Sequence, residues 1–172
     1  MSNTISIIIP VYNEKESLEE LYGEIRAATG SFSKREVLFI DDGSTDGTTE
    51  LLQTMAEEYP DVTLIQFYRN YGKAAALAEG FNHATGDYIV TMDADLQDDP
   101  SEIKNLVEKL DEGYDLISGW KRVRLDPWTK RWPSKFFNLI TRLLTGVKIH
   151  DFNCGLKIYR RAVVKAVEIY GG

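Results

Sequence analysis

The sequence predicts an α/β domain built on a largely parallel, doubly wound sheet. Short, continuously apolar runs recur through the first two thirds of the chain, as expected of strands covered on both faces. Between them lie segments with apolar side chains at helical spacing, and turn-forming residues join the two kinds by short loops. In sheets of this type ligands bind beyond the carboxyl ends of the strands. The loops "VYNE", "DDGSTDG", "YRNYGK", "DADLQDD" and "GWKR" are therefore the places to look for chemistry.

Each element has its own signal. "SIIIP" (6–10) is the first strand. Asn13 with Glu16 resembles a capping box, and Leu18, Leu21, Tyr22 and Ile25 give the following helix one apolar side. "EVLFID" (36–41) is the second strand, and Leu51, Leu52, Met55 and Ala56 face the core from the second helix. "VTLIQF" (62–67) is the third strand, with a helix following over about 73–83. "DYIVTMD" (87–93) is the fourth strand. Asp99, Pro100 and Glu102 are a cap, a first-turn proline and an early acid, so Asp98 and Asp99 read as the start of a helix. Ile103, Leu106, Val107 and Leu110 line its inner face, and "DLISGW" (115–120) is the fifth strand.

Composition narrows the function classes. The chain of 172 residues is 43% hydrophobic, enough to bury one ordinary core. No run approaches the ~18 apolar residues that span a bilayer. The N-terminus runs directly into "TISIIIPVYNE", so a secretory leader is not expected. A single cysteine, Cys154, allows no internal disulfide or thiolate cage and reads as a small buried filler. His83 and His150 lack metal-ligand spacing and are expected to pack or hydrogen-bond. Net charge is −7, yet residues 121–148 carry eight Lys or Arg against the single acid Asp126. An acidic body with one basic arm predicts an anionic partner met locally. Nucleic acid is disfavoured, because the bulk of the protein would repel phosphate and no reading module is present.

The strand ends carry the polar chemistry. Asp41 and Asp42 close the second strand, and Asp93, Asp95 and Gln97 follow the fourth. Carboxylates two apart in extended chain project the same way and can share one hard cation, Mg²⁺ or Mn²⁺. Such a cation keeps waters and shares itself with phosphates, so a diphosphate ligand is expected. "DDGSTDG" taken alone reads equally well as a turn and helix cap, through Ser44, Thr45 or Asp46. No glycine-rich dinucleotide fingerprint follows the first strand, which disfavours a redox cofactor.

Four stretches in order, "SIIIPVYNE", "FIDDGSTDGT", "YRNYGKAAALAEGFNHATGDYIVTMDADLQDDP" and "DFNCGLKIYRR", resemble the inverting family 2 glycosyltransferases of the GT-A fold. The likeness is strongest to bacterial polyprenyl-phosphate glycosyltransferases, relatives of dolichyl-phosphate mannose synthase. It implies a single GT-A domain: a nucleotide-sugar core over 1–120, an acceptor segment over 121–150, and the end of a truncated core over 151–172. It also implies transfer of a sugar, with inversion, from a nucleotide donor (UDP by likeness to the bacterial branch) to polyprenyl phosphate at the inner membrane surface. Pro10, Tyr12, Glu14, Ile40, Asp42, Lys73, Asp93 and Ala94 match nucleotide-binding positions, and Asp93, Asp95 and Gln97 match the metal motif. Lys121 stands where the dolichyl enzymes carry an arginine near the phosphates, a change that keeps charge but loses the bidentate fork. Asp151, Asp95 and Lys121 are the implied catalytic set, and Arg122 and Lys157 the implied acceptor-phosphate contacts. A lipid phosphate is already anionic, so Asp151 is expected to orient or balance charge. A saccharide acceptor would instead need a base there.

The segment 121–148 fits an interfacial helix. Phe136, Phe137, Leu139, Ile140, Leu143, Leu144 and Val147 recur at helical spacing, Trp128 and Trp132 precede them, and cations flank them. A core helix with a solvated face fits the same pattern. Two rival functions also remain open from the sequence: a transferase using a saccharide acceptor, and a non-catalytic nucleotide-binding domain. Self-association is neither predicted nor excluded.

Overall fold

The structure is a computed structural model that describes residues 3–119 and 154–166. The expected features at Trp128, Trp132, 136–147 and His150 lie outside the described residues, as do Lys121, Arg122 and Asp151.

Four strands follow the apolar runs: β1 (Thr4–Val11), β2 (Lys34–Asp41), β3 (Val62–Gln66) and β4 (Tyr88–Thr91). All pair in parallel, with Ile7 facing Val37 on one side and Val90 on the other. Helices α1 (Leu18–Ala28), α2 (Thr48–Glu58) and α3 (Lys73–His83) connect them. A 3₁₀ turn (Pro100–Glu102) leads into α4 (Ile103–Asp111), and β5 (Leu116–Ser118) follows. The last described elements are β6 (Lys157–Arg160) and the short helix α5 (Arg161–Ala166).

The sheet order is β3-β2-β1-β4-β6-β5. β6 runs antiparallel to both β4 and β5, pairing Val90 with Ile158 and Ile117 with Ile158. The sequence reading placed β5 but not β6. A four-residue strand shows little periodicity of its own, and here its partners on both sides define it. The lead-in to β6 thereby reaches the carboxyl end of β4, a placement that matters for the site.

Two apolar clusters sandwich the sheet. Ile5, Ile7, Ile9, Val37, Phe39 and Val90 pack under residues of α1, α2 and α4. Ile8, Leu38, Ile40 and Ile89 pack under Ala76 and Phe81 of α3 and Val164 of α5. Leu18, Leu21, Tyr22 and Ile25 of α1 are buried as expected, while Leu51 and Ala56 of α2 are only half-buried against the core.

The start of α1 differs from expectation. Asn13 takes a left-handed φ of 57°, a conformation its short amide tolerates, and the helix begins only at Leu18. Its Oδ1 accepts from the Thr45 amide at 2.8 Å rather than capping α1. The cap of the later helix is as read: Asp99 Oδ1 accepts from Ser101 N at 2.9 Å, with Pro100 beside it. His83 Nδ1 lies 3.0 Å from the Glu79 carbonyl and Cys154 is buried, both consistent with the packing roles expected of them.

Candidate active site

The carboxyl ends of β1, β2 and β4 open into one cleft of about 430 Å³. Pro10, Tyr12, Glu14, Asp42, Lys73, Asp93, Ala94 and Asp95 all line it. These residues come from four separate motifs, and parallel strand order alone brings them together. Val11, Asn70 and Gly72 complete the lining; the sequence reading had not singled them out. Ile40 is fully buried under α3 and does not line the cleft.

The loops around the cleft are stitched to one another. Asn13 N donates to Ser44 Oγ at 3.0 Å, Glu14 N to Thr48 Oγ1 at 3.2 Å, and Lys15 N to Asp46 Oδ2 at 3.4 Å. Asp46 Oδ1 also accepts from Thr48 N at 3.0 Å, so the "STDGT" turn is fixed by its aspartate two residues before α2. The Thr48 hydrogen bond is the first cause of a lowered Asp46 pKa. Asp41 is fully buried and accepts from Ser44 N at 3.0 Å and from Thr49 Oγ1. It serves the turn. Asp42, also buried, accepts from Tyr71 N at 2.7 Å and Gly72 N at 2.9 Å, tying the "RNYG" loop across the cleft.

Negative charge converges at the floor. Asp93 pairs with Lys73 Nζ from the first turn of α3. Asp95 sits on an exposed turn, where its Oδ1 accepts from Gln97 N at 3.1 Å. Between them Leu96 has a φ of 58°, a left-handed conformation that costs roughly 1–2 kcal/mol for an L-residue. Its side chain packs against the core, which holds the turn in that shape. Glu14 has its pKa raised, first by burial and then by the charges of Asp95, Asp46 and Asp93. The Gln97 side chain is exposed and lines neither the main cleft nor its neighbours.

The donor set fits a hard divalent cation. Asp93 and Asp95 offer carboxylate oxygens to one cleft whose lining includes no thiol or imidazole. Among the described residues, no three His, Cys, Asp or Glu side chains are grouped to enclose an ion. A cation here would therefore take the rest of its shell from water and from a bound ligand, as magnesium commonly does.

A second cleft of about 230 Å³ adjoins the first through Lys73 and Asp93. Lys157, the implied acceptor contact, lines it together with Thr91, Gly155 and Tyr159. One aspartate is placed differently from expectation. Asp98 is buried and its Oδ2 accepts from the Asp93 amide at 3.3 Å, so it turns back toward the cleft and Asp99 alone caps the turn.

The Glycosyl transferase family 2 model matches residues 6–168. The chain belongs to that family. An undecaprenyl-phosphate 4-deoxy-4-formamido-L-arabinose transferase from Shewanella sediminis is 47% identical over 166 residues, covering 95% of this chain and 50% of that protein. The enzyme of the same description from Pseudomonas paraeruginosa is 44% identical, over 95% and 49%. The chain thus spans about half the length of the curated relatives it matches. A solved mannosyltransferase from Pyrobaculum calidifontis, in complex with GDP-Man and Mn²⁺, aligns with a TM-score of 0.68 and 28% identity. It covers 94% of this chain and 46% of its own. Glucosyl-3-phosphoglycerate synthase from Mycobacterium tuberculosis, with Mn²⁺ and UDP-glucose, aligns at a TM-score of 0.69 and 21% identity over 96% and 58%. The family 2 domain therefore has the GT-A glycosyltransferase fold, a six-stranded, mostly parallel sheet.

Proposed function

We propose that this family 2 domain transfers a sugar from a UDP-linked donor to polyprenyl phosphate at the cytoplasmic membrane surface, inverting the anomeric carbon. The observation that carries the reading is the single cleft where Asp93 and Asp95, at the end of β4, meet Lys73, Glu14, Tyr12 and Asp42. The names of the 47% and 44% identical relatives support the lipid phosphate acceptor, and a 4-formamido-arabinose donor is the first to test.

The roles follow from the chemistry of the lining. Pro10, Tyr12 and Asp42 line the cleft and are assigned to the nucleoside, with Tyr12 47% exposed and able to cover a base. Lys73 supplies a cation beside the diphosphate, and Asp93 and Asp95 would hold Mg²⁺ or Mn²⁺ against it. When bound, that ion neutralises the charge developing on the leaving diphosphate. Gln97, assigned to the metal by resemblance, would have to turn inward to reach it. Lys157 lines the adjoining cleft, which supports its assignment to the acceptor phosphate. Lys121, Arg122 and Asp151 keep the roles the resemblance implies: phosphate contacts for the two cations, and orientation or charge balance for Asp151.

Among the described residues no helix is long and apolar enough to cross a membrane. Membrane contact is assigned to the basic segment 121–148, in keeping with its cations and tryptophans. The test is a panel of nucleotide sugars incubated with polyprenyl phosphate and Mn²⁺, scoring transfer and hydrolysis separately. Transfer to the lipid that stops with EDTA is the expected result. Transfer only to a saccharide acceptor, or nucleotide binding without turnover of any donor, would replace the reading with one of its rivals.

A further inference from the structure

The last motif of the chain closes on the first carboxylate of the metal pair. A β-carbon built on Gly155 would stand 2.5 Å from Asp93 Oδ2, 2.6 Å from Asp93 Cγ and 2.8 Å from Asp98 Oδ2. No side chain fits in that space, so the Gly155 backbone forms one wall of the Asp93 carboxylate. That wall is itself anchored. Thr91, buried at the end of β4, donates from Oγ1 to the Gly155 carbonyl at 3.0 Å, across 64 residues of sequence. Asp98 adjoins the same wall, 5% exposed, with Oδ2 accepting from the Asp93 amide at 3.3 Å.

We infer that Asp98 and Gly155 are positioning residues for divalent-metal binding: together they fix Asp93, by its backbone amide and by a steric wall, without touching the ion themselves. The inference rests on the nucleotide-and-metal reading of the cleft. Asp93 leaves β4 two residues past its last paired position and then enters the Asp95–Gln97 turn, so strand pairing does not hold it. A ligand carboxylate free to rotate must be ordered on each binding event. One whose amide and flank are fixed in advance binds tighter, and outer partners of this kind are commonly worth ten- to a hundredfold in metal affinity. The hydrogen bond needs an acceptor oxygen at position 98, not a charge. Gly155 matters only because it lacks a side chain.

Calorimetric titration of the whole chain with UDP, in Mn²⁺ and in EDTA, tests this. Asp98→Ala and Gly155→Ala are expected each to weaken Mn²⁺-dependent UDP binding by about tenfold or more, while UDP affinity in EDTA and the circular dichroism spectrum stay as in the parent. Asp98→Asn keeps the acceptor and is expected to remain within about threefold of the parent. Parent-like Mn²⁺ dependence in both alanine variants overturns the inference alone. So does an equal loss with and without Mn²⁺, which marks a general structural role, and so does Asp98→Asn as weak as Asp98→Ala, which marks a role for charge. Should Asp98→Ala fail to fold, Gly155→Ala with Asp98→Asn carries the same comparison. A parent chain with no Mn²⁺-dependent UDP binding overturns the metal reading itself, and this inference with it.

Discussion

Asp95 is the more exposed carboxylate of the pair, and among the described residues its hydrogen bond is to its own turn, from Gln97 N. On the proposed metal reading, removing it takes a charged ligand from the cation while costing little packing, because the residue is exposed. Asp95→Ala is expected to reduce Mn²⁺-dependent UDP binding on the order of a hundredfold, read by calorimetry, with a thermal midpoint no lower than the parent's, since it also relieves repulsion with Glu14. Glu14 makes the opposite kind of prediction. Its raised pKa comes from burial first and from Asp95, Asp46 and Asp93 after it. A carboxyl whose folded pKa lies above its unfolded value favours folding while protonated, below about 4.5, and loses that contribution as pH rises through the folded value. At pH 7 in EDTA the ionised Glu14 repels its neighbours, so Glu14→Gln should melt higher than the parent. The gap should close below pH 4.5, and thermal melts across that range measure it. Asp93 and Asp95 both line the cleft as the sequence suggested, although Asp95 sits on a turn and not in the extended segment expected. The place of Asp98 was not legible. Next to Asp99 and Pro100 it reads as part of a helix start, whereas the structure turns it back to the Asp93 amide, close against Gly155 from far along the chain.

Helix α3 carries Lys73 at its first position and lies against β1 through Gly80. A β-carbon on Gly80 would meet Ile8 Cγ2 at 2.3 Å. Alanine gains about 1 kcal/mol of helix propensity over glycine, but overpacking a filled core costs about 1–3 kcal/mol. Crowding wins. Gly80→Ala is expected to lower stability in denaturant titrations and, by lifting the helix that positions Lys73, to weaken UDP binding as well. At the opposite edge Asp61, just before β3, accepts from Arg35 Nε of β2 at 2.5 Å and from Tyr22 Oη of α1 at 2.8 Å. Burial opposes ionisation of Asp61, but the Arg35 and Tyr22 hydrogen bonds outweigh it and its pKa is lowered. Its contribution is therefore present above the unfolded value of about 3.8 and lost as pH falls through the folded one. Asp61→Asn should cost about 2 kcal/mol at pH 7, a difference that shrinks toward zero in acid unfolding curves. Elements with local signals were legible: the helix expected over about 73–83 matches α3 (Lys73–His83). The beginning of α1 and the existence of β6 depend on partners distant in sequence, Thr45 for one and β4 with β5 for the other.

At the scale of the molecule, charge and topology point the same way. The chain is −7 overall, yet residues 121–148 hold eight cations and one acid. The described residues on either side of that segment in sequence meet: Gly119 N donates to the Leu156 carbonyl at 2.8 Å. A β-carbon on Gly119 would lie 3.2 Å from Cys154 Sγ. Next along the chain is Gly155, packed against Asp93. The described residues that flank the basic stretch in sequence thus lie beside Asp93, which supports the proposal that the stretch meets an anionic surface near the cleft. Each Lys or Arg near an anionic bilayer contributes roughly 1 kcal/mol, and screening at physiological salt limits the pull to about 8 Å. The protein is therefore expected to float with vesicles containing anionic lipid, to stay behind with zwitterionic ones, and to release at high salt. Replacing Lys130, Arg131 and Lys135 together by glutamine removes about 3 kcal/mol, a loss of more than about a hundredfold in vesicle affinity. If these cations serve the membrane, Mn²⁺-dependent UDP binding is unchanged in that variant. Flotation that ignores lipid charge would assign the segment to the fold's interior. Vesicle binding and UDP binding lost together would place these cations in the donor site, where they would serve the diphosphate and not the membrane.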